Sequence, residues 1–342
     1  MKKVLALLLL LLLIGSAGYS LFQPYRGFSG DLFVEVPKGM GTSSTARMLA
    51  QAGVIRFNWQ FLIARAVQPH RIIQAGEYRF QKAASVWDVF GRLARGDTFY
   101  YDFTVAEGKN MFDIAKGISE LGYVKREDFL EAAQDASSIH DLDPEAKTLE
   151  GYLFPAAYKI PGRMKAAQVC ALMTAQFRRQ MRTLETDIPV HKLVTMASII
   201  EKETGRPEER GMVSSVYWNR LKKGMRLEAD PTTIYAALLD ERYRGKIYRS
   251  DLDNTHPYNT YRHAGLPPGP IANPGLAALK AAIAPDDTSY LYFVAQPGNT
   301  GASTFSTTLA AHQRAVAEYR HGKQQKAGAQ TMAARRASAA NH

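Results

Sequence analysis

Between Leu193 and Ile200 apolar residues recur at the period of a helix that is buried on one side. Leu193, Met196, Ala197 and Ile200 stand at i, i+3, i+4 and i+7, with Val194 and Ile199 widening the face. Gly205 and Pro207 predict the end of this helix and the start of a second, whose Val213, Val216, Tyr217 and Leu221 share one side before Gly224 ends it. The first helix closes on Glu201-Lys202-Glu203. Glu201 follows Ala197 by one turn and Val194 by two, which sets its side chain among apolar neighbours on a continuing helix. A carboxylic acid in such surroundings loses the hydration of its charged form and becomes suited to giving up a proton as a catalyst. The competing reading is a solvated glutamate beside a lysine. Glu203, about 200° further round the helix, is expected to face elsewhere and to act in support.

Residues 4–22 are nineteen in a row without a charge, preceded by Lys2 and Lys3. At about 1.5 Å per residue they just span a hydrocarbon core of about 30 Å, with the N-terminus on the cytoplasmic side and the rest exported. A cleaved signal peptide, cut near Ser16-Ala17-Gly18, is the alternative. The formal charge of +11 predicts an anionic partner, such as a membrane surface or an acidic wall polymer. With an exported chain and no nucleic-acid motif, nucleic acid is not expected. Part of that charge lies in residues 322–342, which read as a disordered basic tail. The single cysteine, Cys170, excludes an internal disulfide and a cysteine-rich zinc site, and the eight histidines show no metal-binding spacing. No metal and no cofactor are expected.

Within 31–134 the segments VEVPKGMGTSSTARMLAQAGVI and FTVAEGKNMFDIAKGISELGYV align without gaps. Gly39 and Gly108 each precede an alanine (Ala46, Ala115) and then a second glycine (Gly53, Gly122) at the same spacing. The pattern predicts, twice, a short strand, a glycine turn, a short helix and a glycine stop. Between the copies, Tyr78 and Phe80 predict a strand, and Val86, Val89, Phe90 and Leu93 the inner face of a helix. Residues 135–147 are polar and turn-rich, a linker or hinge. A long helix from Lys165 to about Leu184 follows, with Val169, Leu172, Met173 and Phe177 on one side.

Further acids and polar groups accompany the glutamates. Glu150 lies beside Tyr152, Phe154 and Tyr158, either as a second acid near sugar-stacking rings or as a capping carboxylate in an aromatic core. Asp230 precedes Pro231, either capping a helix or facing a substrate cleft. Tyr258, Asn259, Thr260 and Tyr261 form a polar loop, and LPPGPIANPG is a rigid wall carrying Asn273.

The strings IEKETGRPEER, VYWNRLKKGMRLEADPTTIYA, YNTYRHAGLPPGPIANPGLAALKAAIAP, SYLYFVA, TFSTTLAAHQ and LEGYLFPAAY together resemble the endolytic murein transglycosylases of the MltG or YceG-like family. They stand in the family's order and cover about two thirds of the chain. The resemblance implies an α+β protein: an anchor over 1–24, a small LysM-like α+β module over 25–134, a mainly helical catalytic domain with a few strands over 135–321, and the tail. It implies a lyase that cuts peptidoglycan glycan strands between MurNAc and GlcNAc, leaves 1,6-anhydroMurNAc ends and terminates nascent strands beside penicillin-binding synthases. The setting is the periplasmic face of the inner membrane. Glu201 matches the family's catalytic glutamate in this reading. Glu150, Glu203, Asn219, Asp230, Thr232, Tyr258, Asn259, Thr260 and Asn273 are expected to hold substrate. A hydrolytic muramidase using Asp230 or Glu150 to activate water, and a non-catalytic wall-binding scaffold, are the rival readings.

Overall fold

The glycines of the repeat close their elements as expected. In the computed structural model, which describes residues 2–162, 164–297 and 301–322, Gly39, Gly53, Gly108 and Gly122 all take positive φ, between 73° and 84° for the two copies. Such angles are open to glycine at no steric cost. The first copy gives strand β1 (Leu32–Val36) and helix α2 (Thr42–Gln51). The second gives β3 (Tyr100–Thr104) and α5 (Met111–Ser119). Ala46, Leu49, Ala115 and Ile118 are all buried, as their period requires.

The second copy is nevertheless divided between two compact units, β3 falling largely in the first and α5 in the second. One comprises Met1–Phe103 with Tyr158–Met164, the other Thr104–Ala157 with Lys165–His342. The first unit thus runs to Phe103 and takes in Tyr158–Met164. In the first unit β1 pairs antiparallel with β2 (Gly76–Phe80), Val34 opposite Tyr78. Alternation turns Val34, Val36, Tyr78 and Phe80 inward. Helices α2, α3 (Asn58–Val67) and α4 (Val86–Arg95) close over them with Leu49, Phe61, Phe90 and Leu93. Ser85 caps α4 in a reciprocal box with Asp88. Strand β3 pairs with β4 (Ala157–Pro161).

The leucine run forms α1 (Lys2–Ser20), with Val4, Leu5, Leu8, Leu9, Leu11, Leu12 and Ile14 exposed. Several side chains inside α1 lie outside the described residues, and among the described residues no helix is long and apolar enough to cross a membrane. The Gln60 amide donates to the Ser20 carbonyl oxygen at 3.0 Å, and Leu21 enters the first unit's core. The expected basic tail lies, beyond Gly322, outside the described residues.

In the second unit, α5 packs on α6 (Arg126–Gln134) and α6 on α7 (Ala166–Met181). The segment 135–147 is packed rather than free. Ile139 and Asp143 are buried, and the Asp143 carboxylate accepts from the Tyr152 hydroxyl and pairs with His191 Nδ1 at 2.8 Å. Its polar residues thus satisfy one another inside the fold, which composition alone does not distinguish from a linker. Helix α8 (Val190–Glu203) is buried on every side from Leu193 to Ile200, between α9 (Arg210–Lys222), α10 (Asp230–Leu239) and α12 (Leu276–Ile283). After the short α11 (Arg249–Leu252), strands β5 (Tyr292–Ala295) and β6 (Ser303–Ser306) form an antiparallel hairpin, and a helix over 309–322 follows. The whole is mixed α and β, mostly helical, with small two-stranded sheets.

Candidate active site

Helix α8 ends because Thr204 turns extended, so Glu203 is its last helical residue. Glu203 lines a cleft of about 250 Å³ together with Tyr217, Arg220, Leu227, Glu228, Asp230, Tyr261, Phe293 and His312. Burial pushes its carboxyl up to about 7. The Tyr217 hydroxyl, hydrogen-bonded to it, opposes that rise, the negative charge of Asp230 adds to it, and Arg220 opposes it. The result is a carboxyl poised to exchange a proton near neutrality.

Asp230 opens α10 but does not cap it. The N-cap is Ala229, and the Asp230 carboxylate instead accepts from the Tyr261 hydroxyl at 2.7 Å. Just before it, Glu228 takes φ +53, a left-handed conformation unusual for a side chain with a Cβ. Thr260 holds this bend. Its carbonyl oxygen accepts from the Glu228 N–H at 3.3 Å and its hydroxyl from the Ala229 N–H at 3.0 Å. Arg220, largely buried, donates to the carbonyls of Leu291 at 2.7 Å and Leu227 at 2.8 Å and to the Glu228 carboxylate at 3.2 Å.

Glu201 lies outside the cleft-lining set. One of its oxygens takes the Arg210 guanidinium at 3.1 Å and the other the Gly275 N–H at 2.9 Å, and the pair with Arg210 is almost wholly buried. Both oxygens are thus committed to tying the end of α8 to the starts of α9 and α12. Of the two glutamates, Glu203 lines this cleft, while Glu201 is bonded to Arg210 and Gly275.

Most of the other residues expected to hold substrate bond within the fold. Glu150 is fully buried and accepts from the Met111 N–H at 2.9 Å and the Asn273 amide at 2.9 Å. Desolvation drives its carboxyl up to about 8. Asn273 also donates to the Lys109 carbonyl and accepts from the Leu153 N–H. Asn259 donates to the carbonyls of Leu252 and Asn254. Thr232 and Thr260 meet through their hydroxyls at 2.8 Å. Asn219 donates to the carbonyls of Thr288 and Tyr290. Tyr258 packs its ring at 5.1 Å from that of Tyr235. Of the residues expected to touch substrate, Glu203 and Asp230 line the cleft. Among the described residues no group of acidic, histidine or cysteine side chains is arranged to hold a metal.

Residues 34–318 match the family model described as the YceG-like family. The chain belongs to the YceG-like family. It is 33% identical to the endolytic murein transglycosylase of Bacillus subtilis, over 92% of this chain and 93% of that one. It is 27% identical to the endolytic murein transglycosylase of Streptococcus pneumoniae, over 94% of this chain and 65% of that one. A crystal structure of a yceG-like protein from Listeria monocytogenes is similar with a TM-score of 0.55 and 33% identity, covering 83% of this chain and 98% of the other.

Within this YceG-like chain the sequence reading did not single out Arg220, Glu228 or His312 as cleft residues. Arg220 and Glu228 carry no periodic signal, because a bend at positive φ turns Glu228 back on the guanidinium. His312 arrives from the helix over 309–322, about a hundred residues beyond Glu203. The neighbouring motif strings contained all three, but nothing in spacing joined them.

Proposed function

We propose that the chain is an endolytic murein transglycosylase in which Glu203 is the catalytic acid and base. The observation that carries this reading is the Glu203 carboxyl, set in the cleft with its hold on a proton raised to about 7. Protonated Glu203 donates to the oxygen joining MurNAc C1 to GlcNAc C4. The C1–O bond breaks and C1 gains oxocarbenium character, which the nearby Asp230 carboxylate stabilises by charge. The resulting Glu203 carboxylate takes the proton of the C6 hydroxyl of the same MurNAc, whose oxygen closes on C1. The acid is restored, no water is consumed, and a 1,6-anhydroMurNAc end remains. Tyr217 holds Glu203 in place and Tyr261 holds Asp230.

Asp230 beside Glu203 also provides the second carboxylate that a hydrolytic muramidase needs. Product mass separates the two readings, since a hydrolase adds water to the new end. Muropeptide mass analysis after digestion by the wild-type protein and by Glu203→Gln is the decisive experiment. Anhydro ends that vanish in the variant are expected, and hydrated ends or undiminished cleavage would refute the assignment.

The same reading makes α1 an inner-membrane anchor with the rest of the chain periplasmic. The uncharged run and the exposed apolar side chains of α1 support it. A mature N-terminus near Tyr19 in the membrane fraction would overturn it. The first unit, as a LysM-like module, then retains glycan while the cleft cuts nascent strands delivered by penicillin-binding synthases.

A further inference from the structure

One cleft side chain takes no part in this chemistry. His312 stacks on Tyr292, ring centroids 5.2 Å apart and planes 20° apart, and the Arg220 guanidinium lies 5.1 Å from the centre of the Tyr292 ring. The imidazole is therefore held by a stack, not by hydrogen bonds. Neither of its nitrogens has a hydrogen-bond partner among the described residues. Nδ1 is also shielded from solvent, which leaves Nε2 as the nitrogen available to a ligand. An orphaned buried N–H is rarer than an under-used buried acceptor, so the ring proton belongs on Nε2. Burial first, and then the charge of Arg220, hold the ring below its usual range against the opposing pull of Glu228, which keeps it neutral.

The cleft thus contains one uncharged N–H donor that the protein itself does not use. The ligand group it suits is equally constrained. Glu203, Glu228 and Asp230 place three carboxyl groups in the same cleft, an arrangement hostile to an anion but not to a neutral oxygen. We propose that His312 is a substrate-binding residue that donates its Nε2–H to a neutral oxygen, hydroxyl or acetamido carbonyl, of a sugar in the bound glycan strand. This rests on the reading of the cleft as a glycan site, but it concerns binding and not the acid.

The test uses the full chain and purified peptide-free glycan strands. His312→Phe keeps a ring to stack on Tyr292 and removes the donor, whereas His312→Gln keeps a donor. His312→Phe should raise KM about tenfold with kcat nearly unchanged, and His312→Gln should recover most of that loss, both with wild-type melting temperatures. The same factors should appear in Kd when each substitution is combined with Glu203→Gln and the strands are titrated without turnover. An unchanged KM in His312→Phe, or equal losses in both variants, would overturn the proposal. Should His312→Phe not fold, the Nε2 resonance of His312 in Glu203→Gln decides alone: it shifts on addition of strands, or the proposal fails. Cleavage that survives in Glu203→Gln would sink the catalytic assignment and leave the KM comparison of the His312 variants standing, so the two readings fail separately.

Discussion

Glu201 and Glu203 are two residues apart on one helix and meet different surroundings. The apolar period points to Glu201 because it follows Ala197 by a turn, but that logic needs a helix with a solvent face. From Leu193 to Ile200 α8 has none, so the period cannot say which direction is the cleft. The direction is fixed by Arg210 on one side and by Tyr217 and Asp230 on the other, all from later in the chain. Glu203→Gln should lower the rate of strand cleavage about 10²- to 10⁴-fold with little change in melting temperature. Glu201→Gln should leave the rate per folded molecule nearly intact and cost on the order of 3 kcal/mol in urea unfolding, because the largely buried Arg210 loses its buried carboxylate and keeps only the half-exposed Glu107 at 3.8 Å. The reverse pattern would return the acid to Glu201. Since Glu203 acts when protonated and titrates near 7, kcat/KM should be level at lower pH and fall about tenfold per unit above it. Asp230→Asn removes a like charge and should move that alkaline limb to lower pH. A limb that stays in place means that Asp230 does not set the proton affinity of Glu203.

Elements were far more legible than directions. Both strand–turn–helix copies, the inward face of α4 and the extents of α7 and α9 follow from glycine placement and apolar spacing, which are local properties. Polar residues were less legible, since a buried network and a solvated loop share a composition. Asn259, Asn273 and Thr232 spend their polar atoms on backbone and on one another, and Glu150 sits at the centre of such a network. Burial raises the Glu150 carboxyl from 4.5 to about 8, so the folded chain holds a proton there that the unfolded chain has already released. The stabilisation linked to that proton is complete below about 4.5 and is lost as pH rises toward about 8. The urea midpoint of the wild type should therefore drop more steeply between these limits than that of Glu150→Gln. Equal slopes would show that Glu150 does not titrate across that range.

At the scale of the molecule, repetition misled where it was most visible. Two copies of one pattern suggest one module, yet α5 and α6 belong with the second unit, where α6 packs on α7 and the turn at Gly108 receives the Lys202 ammonium on its carbonyl at 3.2 Å. A fragment starting at Asp135 should therefore show no cooperative unfolding transition. It lacks Met111 and Lys109, whose backbone groups are bonded to Glu150 and Asn273. Cooperative melting of that fragment would instead support a boundary at residue 134.

The return of the chain to the first unit at Tyr158 also sets an order in time. Strand β3 is made long before its partner β4, and roughly fifty residues of the second unit must be synthesised in between, about 5 s at ~10 residues per second. During that interval β3 has an unpaired edge while the chain is still emerging. The first unit can therefore complete its β3–β4 pairing only after Ala157–Pro161 has been made.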